Sequence, residues 1–327
     1  MVPVTGPALS IIVVAYRHRD ALLECLGSCV AAADRLDGET ELIVVDNGSL
    51  AGLVRERCPH ARLIEPGVNL GFAGAVQRGI ASARGRWIAL VNDDARIEAD
   101  ALGALIAVGD RSASIGAVAA QVRFAGAPDR INSAGIAVDS LGIATERFAG
   151  APVARAAEPG EVFGPSACFG LYRAEMLTQV GGFEERFFAY LEDVDVAWRA
   201  QAAGWRCVYE PGAVAYHHGS ASAGHASATK YFLVGRNRVW LLARNATRRQ
   251  LLRSLPGIVM YDCAYVAYVA WTDRTLAPLR GRLAGLRTWR AMRGEQSQDR
   301  REVPLGRAGW HAALAQHRAY RDLARGG

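Results

Sequence analysis

Trp87-Ile88-Ala89-Leu90-Val91-Asn92-Asp93-Asp94 is an apolar run that empties into an amide and two carboxylates. Its five consecutive apolar residues show no alternation, as expected of a strand buried on both faces. Two carboxylates at the end of such a strand are costly unless donors or a cation meet them. Their oxygens suit Mg²⁺ or Mn²⁺. Such an ion would keep open positions for a diphosphate and neutralise its charge.

The same arrangement recurs upstream. Residues 9–15 read as a buried strand that ends at Tyr16-Arg17, and residues 41–45 as a second that ends at Asp46-Asn47-Gly48-Ser49. Residues 62–65 form a short third strand, and 86–91, with the run above, the fourth. Between them, 20–33 carries helical periodicity through Leu22, Leu23, Leu26 and Val30, and 71–83 reads as a helix with small residues on one face. A helix over 99–108 and a strand over 115–121 continue the alternation, which implies a parallel sheet covered on both faces. In open sheets of this kind ligands bind at the carboxyl ends of the strands. Turns recruit Asp, Asn and Ser in any case, but three polar clusters at strand ends point together to one site.

Residues 122–165 change character. Gly, Ala and Pro with short alternating stretches predict hairpins. A strand over 167–172, a helix over 174–180 and the turn Gly181-Gly182-Phe183 follow. Next comes Phe187-Phe188-Ala189-Tyr190-Leu191-Glu192-Asp193-Val194-Asp195-Val196-Ala197-Trp198-Arg199, an aromatic, strand-like run that turns helical. Acids at a helix start are favoured by the macrodipole and the free N–H groups, yet three in four residues exceed what a cap needs.

Composition narrows the function. At 327 residues, 51% hydrophobic, the chain can bury a full core and hold one large or two modest domains. Its 6 cysteines are scattered and form no C-x-x-C pair, so a zinc site is not expected. No signal peptide is evident, and reduced thiols in the cytoplasm are the expectation. Asn69-Leu70-Gly71-Phe72-Ala73-Gly74 precedes a helix, where glycines let backbone approach an anionic ligand. It is not G-x-G-x-x-G, and no P-loop pattern occurs, which argues against a dehydrogenase or a P-loop NTPase.

Charge is segregated. Residues 1–224 carry 19 arginines against 26 acids, a balance of −7; residues 225–327 carry 19 basic residues against 6 acids, a balance of +13. Lys230 is the sole lysine. Within the basic third, 254–272 holds one charge, Asp262, with Tyr261, Tyr265, Tyr268 and Trp271. Arg248, Arg249 and Arg253 precede it, and Arg274, Arg280 and Arg282 follow. Basic flanks and aromatics fit a helix lying in an anionic membrane surface; a helix packed on the domain is the alternative. Arg236-Asn237-Arg238 could reach a diphosphate or form a solvated face. No nucleic-acid reading module accompanies the charge.

The order Tyr16, Val44-Val45-Asp46-Asn47-Gly48-Ser49, Asn69-Leu70-Gly71-Phe72-Ala73-Gly74, Asn92-Asp93-Asp94, Glu192-Asp193-Val194-Asp195, His217 resembles the inverting family 2 glycosyltransferases of the GT-A fold. Within them it is most similar to rhamnosyltransferase-like members of polysaccharide assembly. The resemblance covers about residues 8–245 and implies an α/β, GT-A fold. Its Rossmann-like, mostly parallel central sheet would carry helices on both faces, followed by a C-terminal helical basic extension. Residues 1–95 would bind the nucleotide-sugar and 96–225 would form the acceptor and catalytic part of the same domain. Residues 226–327 would form a helical, basic region suited to a membrane surface.

By the same resemblance Val14 and Tyr16 line the nucleobase pocket, Asp46 bonds the base, and Gly71 and Phe72 close over the nucleotide. Asp93 approaches the ribose, Asp94 and His217 hold Mn²⁺ or Mg²⁺, and Asp193 is the catalytic base with Glu192 beside it. Asp195 is read as a structural acid that caps the helix. Two residues depart from the family pattern: Asn92 opens the metal motif in place of aspartate, and Gln77 stands where asparagine is frequent.

The implied function is transfer of a sugar from a nucleoside diphosphate donor to a glycan or lipid-linked acceptor in cell-envelope biosynthesis. dTDP-rhamnose is the leading donor and a UDP-sugar the other. The place would be the cytoplasmic face of the membrane. A non-catalytic sugar-binding or scaffold protein on the same fold is the rival reading. A sugar nucleotidyltransferase is a third, disfavoured because Ala15-Tyr16-Arg17-His18-Arg19 has neither the glycines nor the lysine it needs.

Overall fold

A computed structural model describes residues 7–218, 227–294, 301–307 and 309; the remainder of the basic tail lies outside the described residues. The first half alternates β1 (Leu9–Ala15), α1 (Arg19–Ala33), β2 (Thr40–Asp46), α2 (Ala51–Arg57), β3 (Arg62–Ile64), α3 (Gly71–Ser82) and β4 (Trp87–Asn92). Then come β5 (Ala95–Ile97), α4 (Ala101–Gly109), β6 (Ile115–Phe124), β7 (Ala127–Ser133), β8 (Ile136–Val138), β9 (Ala144–Glu146) and β10 (Gly160–Glu161). They are followed by β11 (Phe169–Arg173), α5 (Ala174–Val180), α6 (Glu192–Ala202) and β12 (Arg206–His217). Four helices close the described chain: α7 (Ala228–Asn245), α8 (Arg248–Thr272), α9 (Ala277–Arg287) and α10 (Trp289–Gly294).

The helices form where apolar spacing gives one buried face. In α1, Leu22, Cys25, Leu26 and Cys29 fall at helical intervals and all are buried, so the cysteines pack rather than ligate. α3 presents Ala75, Val76 and Gly79 to the sheet. A Cβ at Gly79 would come within 2.7 Å of the Ile12 side chain, so the small residue sets how closely α3 sits on β1.

The main sheet runs β10-β12-β6-β11-β4-β1-β2-β3, with β5 on β12 and β7 on β6. β1 lies parallel between β2 and β4, in a register that brings their carboxyl ends level: Ala15 pairs with Asp46, and Val14 with Asn92. The three polar clusters thereby share one edge. β11 runs antiparallel to both β4 and β6, within a sheet that is otherwise mostly parallel as expected. That reversal brings the start of β11 to the end of β4, where the Asn92 N–H donates to the Cys168 carbonyl at 2.9 Å. β12 lies parallel to β6 and ends with His217 paired to Ala95, just beyond Asp94. The expected hairpins in 122–165 are present as β6–β7 and β8–β9.

One local expectation is corrected. Phe187-Phe188-Ala189-Tyr190 is not strand-like. A 3₁₀ turn, Glu185–Phe187, leads into it, and Phe188, Tyr190 and Leu191 have φ of 65°, 73° and 66°. Side chains rarely adopt this left-handed region, and each such residue costs about 1–3 kcal/mol unless its surroundings enforce it. The surroundings here are specific. Asn237 Nδ2, fully buried on α7, lies 2.7–2.9 Å from the carbonyls of Phe187, Ala189 and Tyr190. Ala73 N–H donates to the Phe188 carbonyl at 3.0 Å.

The basic third is partly internal. Arg236 donates to the carbonyls of Arg186 and Phe187, and Arg238 to Asp262 and to the carbonyls of Leu141 and Gly142. Arg236 and Asn237 thus brace the 187–191 segment, while Arg238 ties α7 to α8 and to the turn at Leu141-Gly142, so the triplet is not a solvated face. Arg282 pairs with Asp262 and stacks on Tyr265, which removes it from the outward-facing arginines. α8 buries only Ile258 and Val269 fully; Leu252, Leu255, Val259, Met260 and Trp271 face outward.

Candidate active site

The site is built on the level carboxyl ends of β1, β2 and β4. Beyond β4, Asp94 is buried and its Oδ1 lies 3.1 Å from His217 Nε2. The other ring nitrogen, Nδ1, is 3.2 Å from Asn132 Oδ1 on β7, which orients the imidazole so that Nε2 faces Asp94. Burial would raise the Asp94 carboxyl, but the hydrogen bond and charge of His217 outweigh it and hold it below the usual range. Burial would likewise lower the His217 imidazolium; Cys168 and the Asp94 carboxylate more than offset it and hold it well above the usual value.

Asp93 faces the end of β1, where its Oδ2 accepts the Tyr16 N–H at 2.6 Å. Its carboxyl is pushed up to about 7, chiefly by burial, with the Tyr16 bond opposing and the Asp94 charge adding. A 3.1 Å oxygen–nitrogen separation is close to the edge of an octahedron with ligands at about 2.0–2.1 Å. Asp94 and His217 therefore fit as two adjacent ligands of one hard divalent cation, the carboxylate with the imidazole that Mn²⁺ tolerates. Among the described residues no cluster of three or more His, Cys, Asp or Glu could hold a metal. Such an ion would have these two side chains as its protein ligands among the described residues.

The nucleotide-side residues are mostly engaged with one another. Val14 is buried in the core beneath the strand ends. Tyr16 is half-buried under the Arg17 guanidinium, 4.8 Å from its ring centre. Asp46 accepts three backbone N–H groups, from Gly48, Leu50 and Ala51 at 3.1, 2.8 and 2.7 Å, and so shapes the turn into α2. Asn47 and Asn69 lock the next loop. Asn47 donates to Asn69 Oδ1 and the Gly71 carbonyl and accepts the Leu70 N–H at 2.8 Å. Gly71, at φ 70°, has Phe188 where a Cβ would stand, 2.4 Å from the Phe188 carbonyl oxygen; Gly71 thus joins this loop to the strained segment. Phe72 is half-buried beside the core. Gln77 accepts the Phe183 N–H at 2.9 Å and holds the Gly181-Gly182 turn.

On the opposite side α6 opens directly after Leu191, and no side chain caps it. Asp193 is oriented by two backbone donors, Ala167 N–H to Oδ2 at 3.2 Å and Val194 N–H to Oδ1 at 2.8 Å. Burial raises its carboxyl, with both N–H bonds opposing, and so makes it a stronger base. Glu192 is 5% exposed, its Oε2 has no partner, and its carboxyl is pushed up to about 8 by burial and then by Asp193. Asp195 does not cap the helix as expected. It is enclosed by Arg199, Arg244 and Asn245, and although burial would raise its carboxyl, the two guanidiniums hold it low.

The metal side and the base side meet at consecutive residues: Ala167 N–H holds Asp193, while Cys168 borders Asn92 and His217. Sequence reading missed Glu146. It accepts the Ser133 hydroxyl and, at 3.2 Å, the Ser166 hydroxyl, and its carboxyl is pushed up to about 7 by burial and then by Asp193. It missed Asn132 as well, and read Asn237 only as part of Arg236-Asn237-Arg238, not as the brace of the 187–190 carbonyls; the tertiary fold alone brings these residues to the site.

Residues 10–181 match the family model described as glycosyl transferase family 2. A curated relative, N-acetylglucosaminyl-diphospho-decaprenol L-rhamnosyltransferase of Mycobacterium tuberculosis, is 30% identical over 71% of this chain and 86% of its own. Among solved structures, GalNAc-T7 with UDP, GalNAc and Mn²⁺ superposes with a TM-score of 0.59 at 12% identity, over 90% of this chain and 55% of its own. TarS of S. aureus with UDP-GlcNAc gives 0.57 at 16% identity, over 97% and 90%. At these identities the structures report the fold, which is the GT-A architecture of the central sheet and its flanking helices.

Proposed function

The chain belongs to glycosyl transferase family 2, and from that membership we propose an inverting transferase. In it Asp193 is the base, and Asp94 with His217 holds Mn²⁺ or Mg²⁺. The enzyme is a glycosyltransferase; the donor, the acceptor and the residue roles are the proposal. One observation carries it: a buried carboxylate–imidazole pair and a base-strengthened, backbone-oriented carboxylate converge on the segment Ala167-Cys168 at the carboxyl edge of the sheet.

In the proposed reaction the acceptor hydroxyl oxygen attacks the anomeric carbon while Asp193 takes its proton. The bond to the diphosphate breaks on the far side, the nucleoside diphosphate leaves with the electron pair, and the configuration inverts. When bound, the cation supplies charge neutralisation for the departing diphosphate. His217 is held by Asn132 to present Nε2, and the Gly71 loop, locked by Asn47 and Asn69, borders the nucleotide. Glu192 is the neighbour of Asp193, and its own carboxyl is pushed up to about 8 by burial and then by the Asp193 charge, so it holds its proton near neutral pH.

The mycobacterial relative supports rhamnose as the sugar moved and a polyprenyl-diphosphate-linked sugar as acceptor, and dTDP-rhamnose is the donor this reading takes. A screen for nucleotide release from dTDP-rhamnose and UDP-sugars, with and without Mn²⁺, tests this. Release that is strongest with dTDP-rhamnose and falls on chelation is expected. Equal release in excess chelator would remove the cation from the reading.

A lipid-linked acceptor places the enzyme at a bilayer, and no described helix is long and apolar enough to cross one. We therefore assign peripheral contact to the outer face of α8 and α9. There Leu252, Leu255, Val259 and Trp271 stand among exposed Arg248, Arg249 and Arg253, a pattern suited to anionic lipid. Flotation with anionic vesicles should be lost in a Leu255→Ser/Trp271→Ser double variant. Unchanged flotation would remove this face.

A further inference from the structure

We propose that Glu146, held by Ser133 and Ser166, binds a hydroxyl of the acceptor sugar beside the one that reacts. The inference rests on the transferase reading and deepens it by naming an acceptor subsite. β9 ends at Glu146, on the hairpin that the chain inserts between β7 and β10. That hairpin is the one contribution of residues 134–159 to the site's hydrogen-bonded framework through a carboxylate.

Two pairs of neighbouring residues link Glu146 to both halves of the chemistry. Asn132 contacts the His217 ring and its neighbour Ser133 donates to Glu146. Ser166 donates to Glu146 and its neighbour Ala167 donates to Asp193. Glu146 is thus linked through neighbouring residues to both sides of the site, and it feels the charges of both Asp193 and His217.

A second observation points to a ligand. The Tyr172 hydroxyl is fully buried with no partner, and it lies in the field of Asp193, Glu192 and Glu146. The Glu192 Oε2, 5% exposed, also lacks one. Buried polar groups left unpaired are rare in finished structures, so the region awaits donors and acceptors from outside the chain. Glu146 is half-buried, and a carboxylate offers about four acceptor positions, so a hydroxyl donor can join the two serines on it. A carboxylate beside carboxylates favours a neutral, hydroxyl-bearing ligand over an anion, and a pyranose ring supplies vicinal hydroxyls at the needed spacing. Hydrogen bonds to charged groups are strong enough to shift affinity by about 10- to 100-fold.

The test compares transfer of the sugar from dTDP-rhamnose to water with its transfer to a short-chain polyprenyl-diphospho-N-acetylglucosamine. The parent and Glu146→Gln, which keeps an oxygen for both serines, are measured under the same conditions. The expected result is an acceptor KM raised at least about 10-fold, with transfer to water within about twofold of the parent. Ser133→Ala should shift acceptor KM in the same direction and less. An unchanged acceptor KM in an active parent background would overturn this proposal alone. Equal loss of both reactions would also overturn it, since Glu146 would then support the fold or the donor. A parent inert toward every donor would overturn the transfer reading and this proposal with it.

Discussion

Asp193 and Asp195 are two residues apart on one helical turn, yet they live in opposite environments. Asp195 is enclosed by two guanidiniums and an amide, and its carboxyl is held low although burial works against it. Asp193 is held instead by two backbone N–H groups with no cation beside it, and its carboxyl is raised; that of Glu192, whose Oε2 has no partner, is raised as well. The lesson is that side-chain cations have been spent on the structural face and withheld from the reactive one. A carboxylate that must take a proton cannot be paired with an arginine.

The largest way to break this contrast is Asp195→Asn. It leaves Arg199 and Arg244 buried without their countercharge, and loss of one partner of such a cluster costs about 3–5 kcal/mol. The thermal midpoint should fall sharply at pH 7. The sign with pH follows from the low folded value. Asp195 contributes stability that is full above its unfolded pKa of about 3.9 and is lost as pH falls through the lower folded value. The variant should therefore show a flatter acid limb, and a parental limb in denaturation scans would refute the cage.

Glu192→Gln sharpens the contrast in the other direction. With a folded value of about 8, Glu192 keeps a proton that the unfolded chain gives up near pH 4.3. Its contribution to stability is thus present below pH 4.3 and is lost as pH rises through 8. The variant removes that penalty and should be more stable than the parent by about 1–3 kcal/mol at pH 8, with the gain vanishing near pH 4. Destabilisation at pH 8 would mean that the Glu192 carboxylate is paired after all.

Much of this arrangement was legible in the chain. The unbroken apolar runs of β1 and β4 and the polar residues that end them place the strands and the edge of the sheet that carries the site. The helical spacing of Leu22, Cys25, Leu26 and Cys29 places α1. What escaped depends on contacts far apart in sequence. The direction of β11 is set by its neighbours β4 and β6, and an apolar strand reads the same either way. The left-handed backbone at Phe188, Tyr190 and Leu191 carries no glycine to announce it, because Asn237, some 50 residues on, enforces it. Tyr261 and Tyr265 sit in an apolar-looking stretch yet stack on each other beneath Arg238 and Arg282, leaving Tyr268 and Trp271 as the outward aromatics. Glu146 lies in a stretch without a motif and acquires meaning only from Ser133, Ser166 and Asp193.

The central claim is that Asp193 is the base and Asp195 is not. Asp193→Asn keeps the size of the side chain and an oxygen for the Ala167 or Val194 N–H, so its fold and donor affinity should match the parent. Sugar transfer by this variant should fall about 10²–10⁴-fold. Turnover close to that of the parent, from a folded variant that binds donor normally, would contradict the account.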